Sequence, residues 1–282
     1  VWLVPAVAAA TFLPLLAFEL WRPLRPERES KPRRIVRNLV LAASAFAVIP
    51  LLQTPALAAL WPWMQAQRVG LLNQVEWPWA VEAAAAVLLL DYTLWIWHWL
   101  NHRTAFLWRF HLVHHADRDL DASTALRFHF GEMALSVPWR ALQVLLIGPD
   151  ALSLGLWQAL LVPAILFHHS NLRLPIGLER ALVRVIVTPR MHGIHHSTYQ
   201  NETNSNWSSL FSVWDYLHRT ALLSVPQSTV EIGVPAFARP QDLTLGRMLR
   251  LPFRTRGDDW TSADGDRHHR DPPAERRATL AA

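Results

Sequence analysis

The chain contains no cysteine. That excludes disulfides, thiolate metal sites and a cysteine nucleophile at once. Charge is scarce as well: charged residues are 17% of the 282, against 51% hydrophobic, which leans away from an ordinary soluble domain. Neither HExxH nor Glu-x-x-His occurs, so the helical zinc-hydrolase motif and the ligand pattern of soluble di-iron bundles are both missing. There is no repeat of fixed period and no flavin, nicotinamide or haem motif. The first residue is Val1, so an N-terminus trimmed from a longer one is expected.

What is present points to a bilayer. The fifteen tryptophans suit membrane–water interfaces, where an indole ring keeps its body in the apolar phase and its N–H near water. Residues 1–20, 35–63 and 77–100 are apolar runs long enough to cross, since a helical crossing needs about 20 residues. The second is interrupted by Pro50 and Pro55. Two shorter runs, 133–147 and 151–168, are joined by Gly148-Pro149-Asp150 and are expected to form a tight or partly re-entrant hairpin. The first run is no signal peptide in form, because its basic residues follow the apolar stretch.

Charge sets the orientation. Residues 21–37 hold seven Lys/Arg against two Glu, whereas the loop at 64–76 holds only Arg68. By the positive-inside rule residues 21–37 are cytoplasmic, and a bacterial inner membrane is the expected setting. The net charge of +5 then matches anionic headgroups and not nucleic acid. Following the chain from there brings the end of the third run, both ends of the hairpin and the polar stretch 188–220 to the same side.

That side collects the histidines. Eleven of fourteen lie between residues 98 and 196, as His98-x3-His102, His111-x2-His114-His115, His129, His168-His169 and His192-x2-His195-His196. Spacings of three and four place side chains on one helical face, so each cluster can aim two or three imidazoles at one point. Neutral imidazole ligates iron, zinc and copper, and ionisable groups gathered at a membrane edge are usually functional. Eight to ten histidines are enough for two sites of four or five ligands: a histidine-rich dinuclear centre at a bilayer surface.

The ordered motifs "HWLNH" (98–102), "HLVHH" (111–115), "RFHFGE" (127–132), "HHSNLRLP" (168–175), "TPRMHGIHH" (188–196) and "WDYLHRT" (214–220) resemble the membrane fatty acid hydroxylase/sterol desaturase superfamily. The resemblance covers about residues 85–220. It implies an all-α, integral membrane helical bundle of about four spans or hairpins with a histidine-rich cytoplasmic cap. It implies two iron ions, zinc being possible in purified protein, and oxygen-dependent hydroxylation or desaturation of a sterol, fatty acyl or related lipid. The ligands it implies are His98, His102, His111, His114, His115, His129, His169, His192, His195 and His196, with His168 a further candidate. The partners are a bilayer lipid, dioxygen and a separate electron donor, cytochrome b5-like or ferredoxin/reductase; Arg103, Arg109, Arg118 and Arg190 offer a basic face that can dock such a donor or, equally, contact anionic lipid. His218 and Arg219 stand where many members carry Phe and Gly, which touches cap packing or substrate preference and not the metal site. His218, His268 and His269 are expected not to be ligands.

Four further residues are candidates for supporting the centre. Asp91, two turns before His98 on the same face, can hydrogen-bond a ligand imidazole or make a helix-end contact. Asp215 can do the same or cap a helix, and Asn171 and Asn206 can hold a metal-bound water. Glu132 is expected to pair with an arginine and not with metal. The organisation expected is N-terminal spans with a basic loop (1–76), the di-metal domain (77–220) and a C-terminal extension (221–282) without structure from about 254. Two rival readings are a membrane zinc hydrolase, distinguished by oxygen-independent activity, and a non-catalytic metal- or lipid-binding membrane protein.

Overall fold

The computed structural model describes residues 3–270 except 256, 263 and 269. Among the described residues the protein is helical throughout, with only isolated β-bridges. The bundle is built from α1 (Leu3–Trp21), α2 (Lys31–Phe46), α3 (Thr54–Ala66), α4 (Trp79–Arg103), α5 (Ala105–His115), α6 (Phe130–Ile147) and α7 (Ala151–His169). Short helices follow: α8 (Ile176–Leu182), α9 (Pro189–His195), α10 (Gln200–Thr203), α11 (Val213–Leu217) and α12 (Leu245–Arg250).

Three stretches are long and apolar enough to cross a membrane: Lys31–Gln74, α4 and α7. The prolines at 50 and 55 do not break the first of these. A π-helical stretch, Ile49–Gln53, carries α2 into α3, because a proline without an N–H forces the ladder into a wider register there. Large apolar side chains such as Leu51, Leu146 and Leu152 lie on the outside, each more than half exposed, as a lipid-facing surface requires.

The hairpin of α6 and α7 is deeper than a re-entrant loop. α6 runs 18 residues, about 27 Å at 1.5 Å per residue, and its turn meets the loop that joins α3 to α4. There Gly148 (φ 70°) and Gly70 (φ 107°) pack backbone to backbone, so closely that a Cβ on Gly70 would stand 2.4 Å from the Gly148 Cα. Both need glycine for the positive φ and for the approach. Beneath this contact, Met64, Leu90, Val144, Ile147 and Trp157 form the core of the end remote from the histidines.

The basic residues of the first loop are mostly consumed by carboxylates. Arg34 is buried against Asp117 and Asp121, Arg37 pairs with Glu29 and Asp117, and Lys31 with Glu19 and Glu27. Asn38 bridges Asp117 to Arg127. This network ties the start of α2 to the segment between α5 and α6. Burial raises the Asp117 pKa, but Arg34, Arg127 and Arg37 outweigh it and hold the carboxyl at about 2.

The stretch beyond residue 254 is not featureless. Trp260 is buried and stacks on Trp108 with ring centroids 5.9 Å apart, while the Trp108 indole N–H donates to Asp259. With Leu112, Leu243, Met248 and Leu251 they form a second core around α5. One aromatic anchor in a polar sequence leaves no hydrophobic period, which is why composition alone suggested disorder. Residues 271–282 of that expectation lie outside the described residues.

Candidate metal centre

Four helices bring histidines to one end of the bundle. The last turns of α4 carry His98 and His102, four residues apart and so on one face. α5 carries His111, His114 and His115; α7 ends in His168 and His169; α9 carries His192 and His195, with His196 as its C-cap. Two groups result. In the first, His98, His102, His111, His115 and His195 each offer one ring nitrogen, all within 4.8 Å of one another; in the second, His114, His169, His192 and His196 do the same.

The hydrogen bonds fix which nitrogen faces inward. His98 and His195 donate from Nδ1 to the Trp207 and Ser205 carbonyls at 2.7 Å, and His111 donates to Glu132 Oε1 at 2.8 Å. A carbonyl or carboxylate can only accept, so the proton sits on Nδ1 and the Nε2 lone pair is free. The Nε2 atoms of all five members of the first group are buried without a hydrogen-bond partner. Orphaned acceptors of this kind are costly unless a cation satisfies them.

The second group makes the same point differently. His114 and His169 both donate from Nδ1 to carbonyls, those of Arg127 and Ile165. Their Nε2 atoms nevertheless stand 3.1 Å apart, so two lone pairs face each other. His192 and His196 close the ring, with successive Nε2 separations of 3.0 and 3.1 Å. Burial, and after it the neighbouring imidazoles, holds His114, His115, His192, His195 and His196 well below the ordinary histidine pKa. Neutral rings with fixed tautomers are the form that ligates, and an all-imidazole donor set suits a divalent transition metal.

His129 does not join them. It is the N-cap of α6: Nδ1 accepts from the Gly131 N–H at 2.9 Å, and Nε2 donates to the Leu249 carbonyl at 3.1 Å. Both nitrogens are used. His168 lies in neither group; its ring packs 4.1 Å from His192 and it lines the adjacent cavity. His218 stacks on Trp95 at 4.2 Å and bonds the Tyr92 hydroxyl, well occupied as packing.

The supporting residues are also redistributed. Asp91 touches no imidazole; it accepts from the Phe211 N–H and the Trp214 indole. Asp215 accepts from Trp95, from the Trp207 and Ser208 amides and from Thr220, and so holds the loop whose Trp207 carbonyl orients His98. Asn171 is spent on the Arg25 backbone, and Asn206, at φ 55°, on Met191 and Leu222. Neither is left to hold a water. The carboxylate that does bond a histidine is Glu132, expected to pair with arginine. Its signal was its place in the first turn of a helix that starts at a histidine motif, facing the core.

Beside the histidines an apolar cavity of about 250 Å³ opens between α4, α6 and α7. Leu94, Trp97, Phe128, Leu161, Ile165 and Leu166 form its walls, and His98, His111, His114, His169 and His192 its histidine end. A larger polar cavity, about 520 Å³, is lined by Arg25, Arg28, Arg118, Arg173 and Arg190. The guanidinium of Arg25 presses on Gly193 of α9, where a Cβ would stand 1.8 Å from it.

Residues 83–220, which hold both histidine groups, match the fatty acid hydroxylase family model. Residues 83–220 belong to the fatty acid hydroxylase/sterol desaturase superfamily. It is similar to the ornithine lipid hydroxylase OlsE of Rhizobium tropici, 29% identical over 183 residues, 64% of this chain and 53% of that protein. It is also similar to human alkylglycerol monooxygenase, 25% identical over 144 residues (51% and 30%), and to a zebrafish cholesterol 25-hydroxylase-like protein, 27% identical over 143 residues (49% and 55%). The alignments thus span about half or less of each of these relatives. No solved structure is significantly similar to this hydroxylase-superfamily chain.

Proposed function

We propose that the chain is an integral membrane lipid hydroxylase whose two histidine groups hold two iron ions. The observation that carries this reading is the set of five buried, unpartnered Nε2 atoms beside a second ring of four, both next to an apolar cavity. Superfamily membership and relatives named as hydroxylases of an ornithine lipid and a monooxygenase of alkylglycerols support hydroxylation over desaturation. Bound there, the irons would supply the reduction of dioxygen and the oxidation of an unactivated C–H bond.

The chain's own residues do the rest. Glu132 and the Trp207, Ser205, Arg127 and Ile165 carbonyls hold protons on Nδ1 and thereby keep Nε2 as donor. The apolar cavity binds an alkyl chain against the histidine end and excludes water, which both orients the chain and strengthens electrostatics there. The histidine end faces the cytoplasm of a bacterial inner membrane, the side on which a separate redox protein delivers electrons. The arginine-lined cavity next to α9, which includes Arg118 and Arg190, is the docking face.

The test is lipid mass spectrometry on membranes that express the chain under labelled oxygen gas, with a competent electron donor, beside His195→Ala. A lipid that gains labelled oxygen only with His195 intact supports the proposal. An unchanged lipid pool, with zinc bound to the protein, supports a hydrolase instead.

A further inference from the structure

One charged residue in the apolar cavity has no partner. Arg140 lies on α6 and lines the cavity whose other end is the histidine group. Its guanidinium stacks over the Trp157 ring, 4.5 Å from the centroid. Its Nη1 is buried without a hydrogen bond, and among the described residues no carboxylate is close enough to act on it. The neighbouring Trp139, which also lines the cavity, has a buried indole N–H without an acceptor.

An unpaired cation inside a membrane-embedded helix pair is costly, and such residues usually mark the path of a substrate. The cavity is therefore polarised. Unused donors lie at Arg140 and Trp139, and unused acceptors lie at the histidines. Glu132, beside His111, and Arg140 are eight residues apart on one helix, which is about 12 Å along its axis. With one face of the guanidinium covered by Trp157, its edge is what remains to offer. A planar edge with paired N–H groups matches a carboxylate bidentately. The cavity is also narrow enough, at about 250 Å³, to take a single chain, and a carboxylate monoanion is cheaper to desolvate there than a phosphate dianion.

We propose that Arg140 determines substrate specificity by seating a carboxylate on the lipid chain, so that the carbon oxidised lies well along that chain from the acid group. The substrate class is a lipid with a free carboxylate, and this deepens the hydroxylase reading on which it rests.

Binding tests it without turnover. Energy transfer from tryptophan to cis-parinaric acid reports cavity occupancy on the protein as purified, held without oxygen in a non-ionic detergent. Dodecanoate, methyl dodecanoate, dodecanol and dodecyl phosphate then compete. Dodecanoate should compete at about tenfold lower concentration, or better, than the ester and the alcohol, the range of a charge-assisted hydrogen bond. Arg140→Gln should erase that margin and leave dodecanol unaffected, which also shows that the cavity is intact; Arg140→Lys should keep part of it. Equal potency of acid, ester and alcohol in the parent protein would overturn the proposal, even if Arg140→Gln failed to fold. So would a margin that survives Arg140→Gln, or dodecyl phosphate outcompeting dodecanoate. Because no oxygen chemistry is involved, a carboxylate preference with no labelled-oxygen uptake would sink the hydroxylase reading alone.

Discussion

His111 donates its Nδ1 proton to Glu132 Oε1 across 2.8 Å, while its Nε2 atom faces the rings of His98, His102, His115 and His195. The carboxylate fixes the tautomer and raises the basicity of the ring. Glu132→Ala should weaken metal binding at this group by about 10- to 100-fold, and Glu132→Gln by less, since its carbonyl oxygen still accepts. Competition against a chromophoric chelator measures both. Unchanged affinity in Glu132→Ala would mean the carboxylate only packs.

His129 sits in a histidine motif but spends both nitrogens on backbone. Its replacement by alanine should leave the metal content at the parent level and lower stability by about 1–2 kcal/mol, the cost of a lost helix cap. His115→Ala should do the reverse and lose metal. Metal analysis alongside thermal unfolding separates the two, and a metal loss in His129→Ala equal to that of His115→Ala would return His129 to the ligands.

Acid should strip the site before it opens the fold. The imidazoles of His114, His115, His192, His195 and His196 sit below the unfolded value of about 6.5, burial being the main cause. Their contribution is complete above that pH and is lost as pH falls through it towards the folded values; metal binding has the same sign, since protonated rings do not ligate. Asp117, held at about 2, contributes above about 3.9 and is lost only as pH falls towards 2. Dialysis across this range should release metal well before near-ultraviolet circular dichroism reports loss of packing. Simultaneous loss would contradict the order.

Much of this was legible in the sequence, and the reasons for the rest are physical. Spacings of three and four forecast that His98/His102, His111/His114/His115 and His192/His195/His196 each aim at one point; that holds for His98/His102, whereas His195 leaves His192 and His196 for the other group. Which ring joins which group is not local: α5 sends His111 and His115 to one group and His114 to the other, a division set by how α7 and α9 pack. Asp91 lies on the expected face, yet the 211–214 segment arrives first and takes its carboxylate. The hairpin's bounds were close to legible, but its docking on the α3–α4 loop was not, because the Gly70–Gly148 contact joins residues far apart in sequence. Trp260 is a lone anchor, and a lone anchor has no period to read.

Arg34 is the keystone of the ion network that carries α2 to the metal domain. Replacing it with leucine leaves Asp117 and Asp121 buried without their main counter-ion, at a cost of about 3–5 kcal/mol. The variant should unfold at markedly lower temperature in detergent while Arg33→Leu, on the exposed side of the same helix, should not. Equal stability of the two would mean that the network contributes nothing.

The central claim, two metal sites built by nine histidines, is tested most directly by counting iron and zinc on protein purified without oxygen. Two iron atoms per chain are predicted, falling to about one when His192 of the four-histidine group is replaced by alanine. A single metal per chain in the parent protein, or zinc as the stoichiometric ion after iron has been supplied in excess, would contradict it.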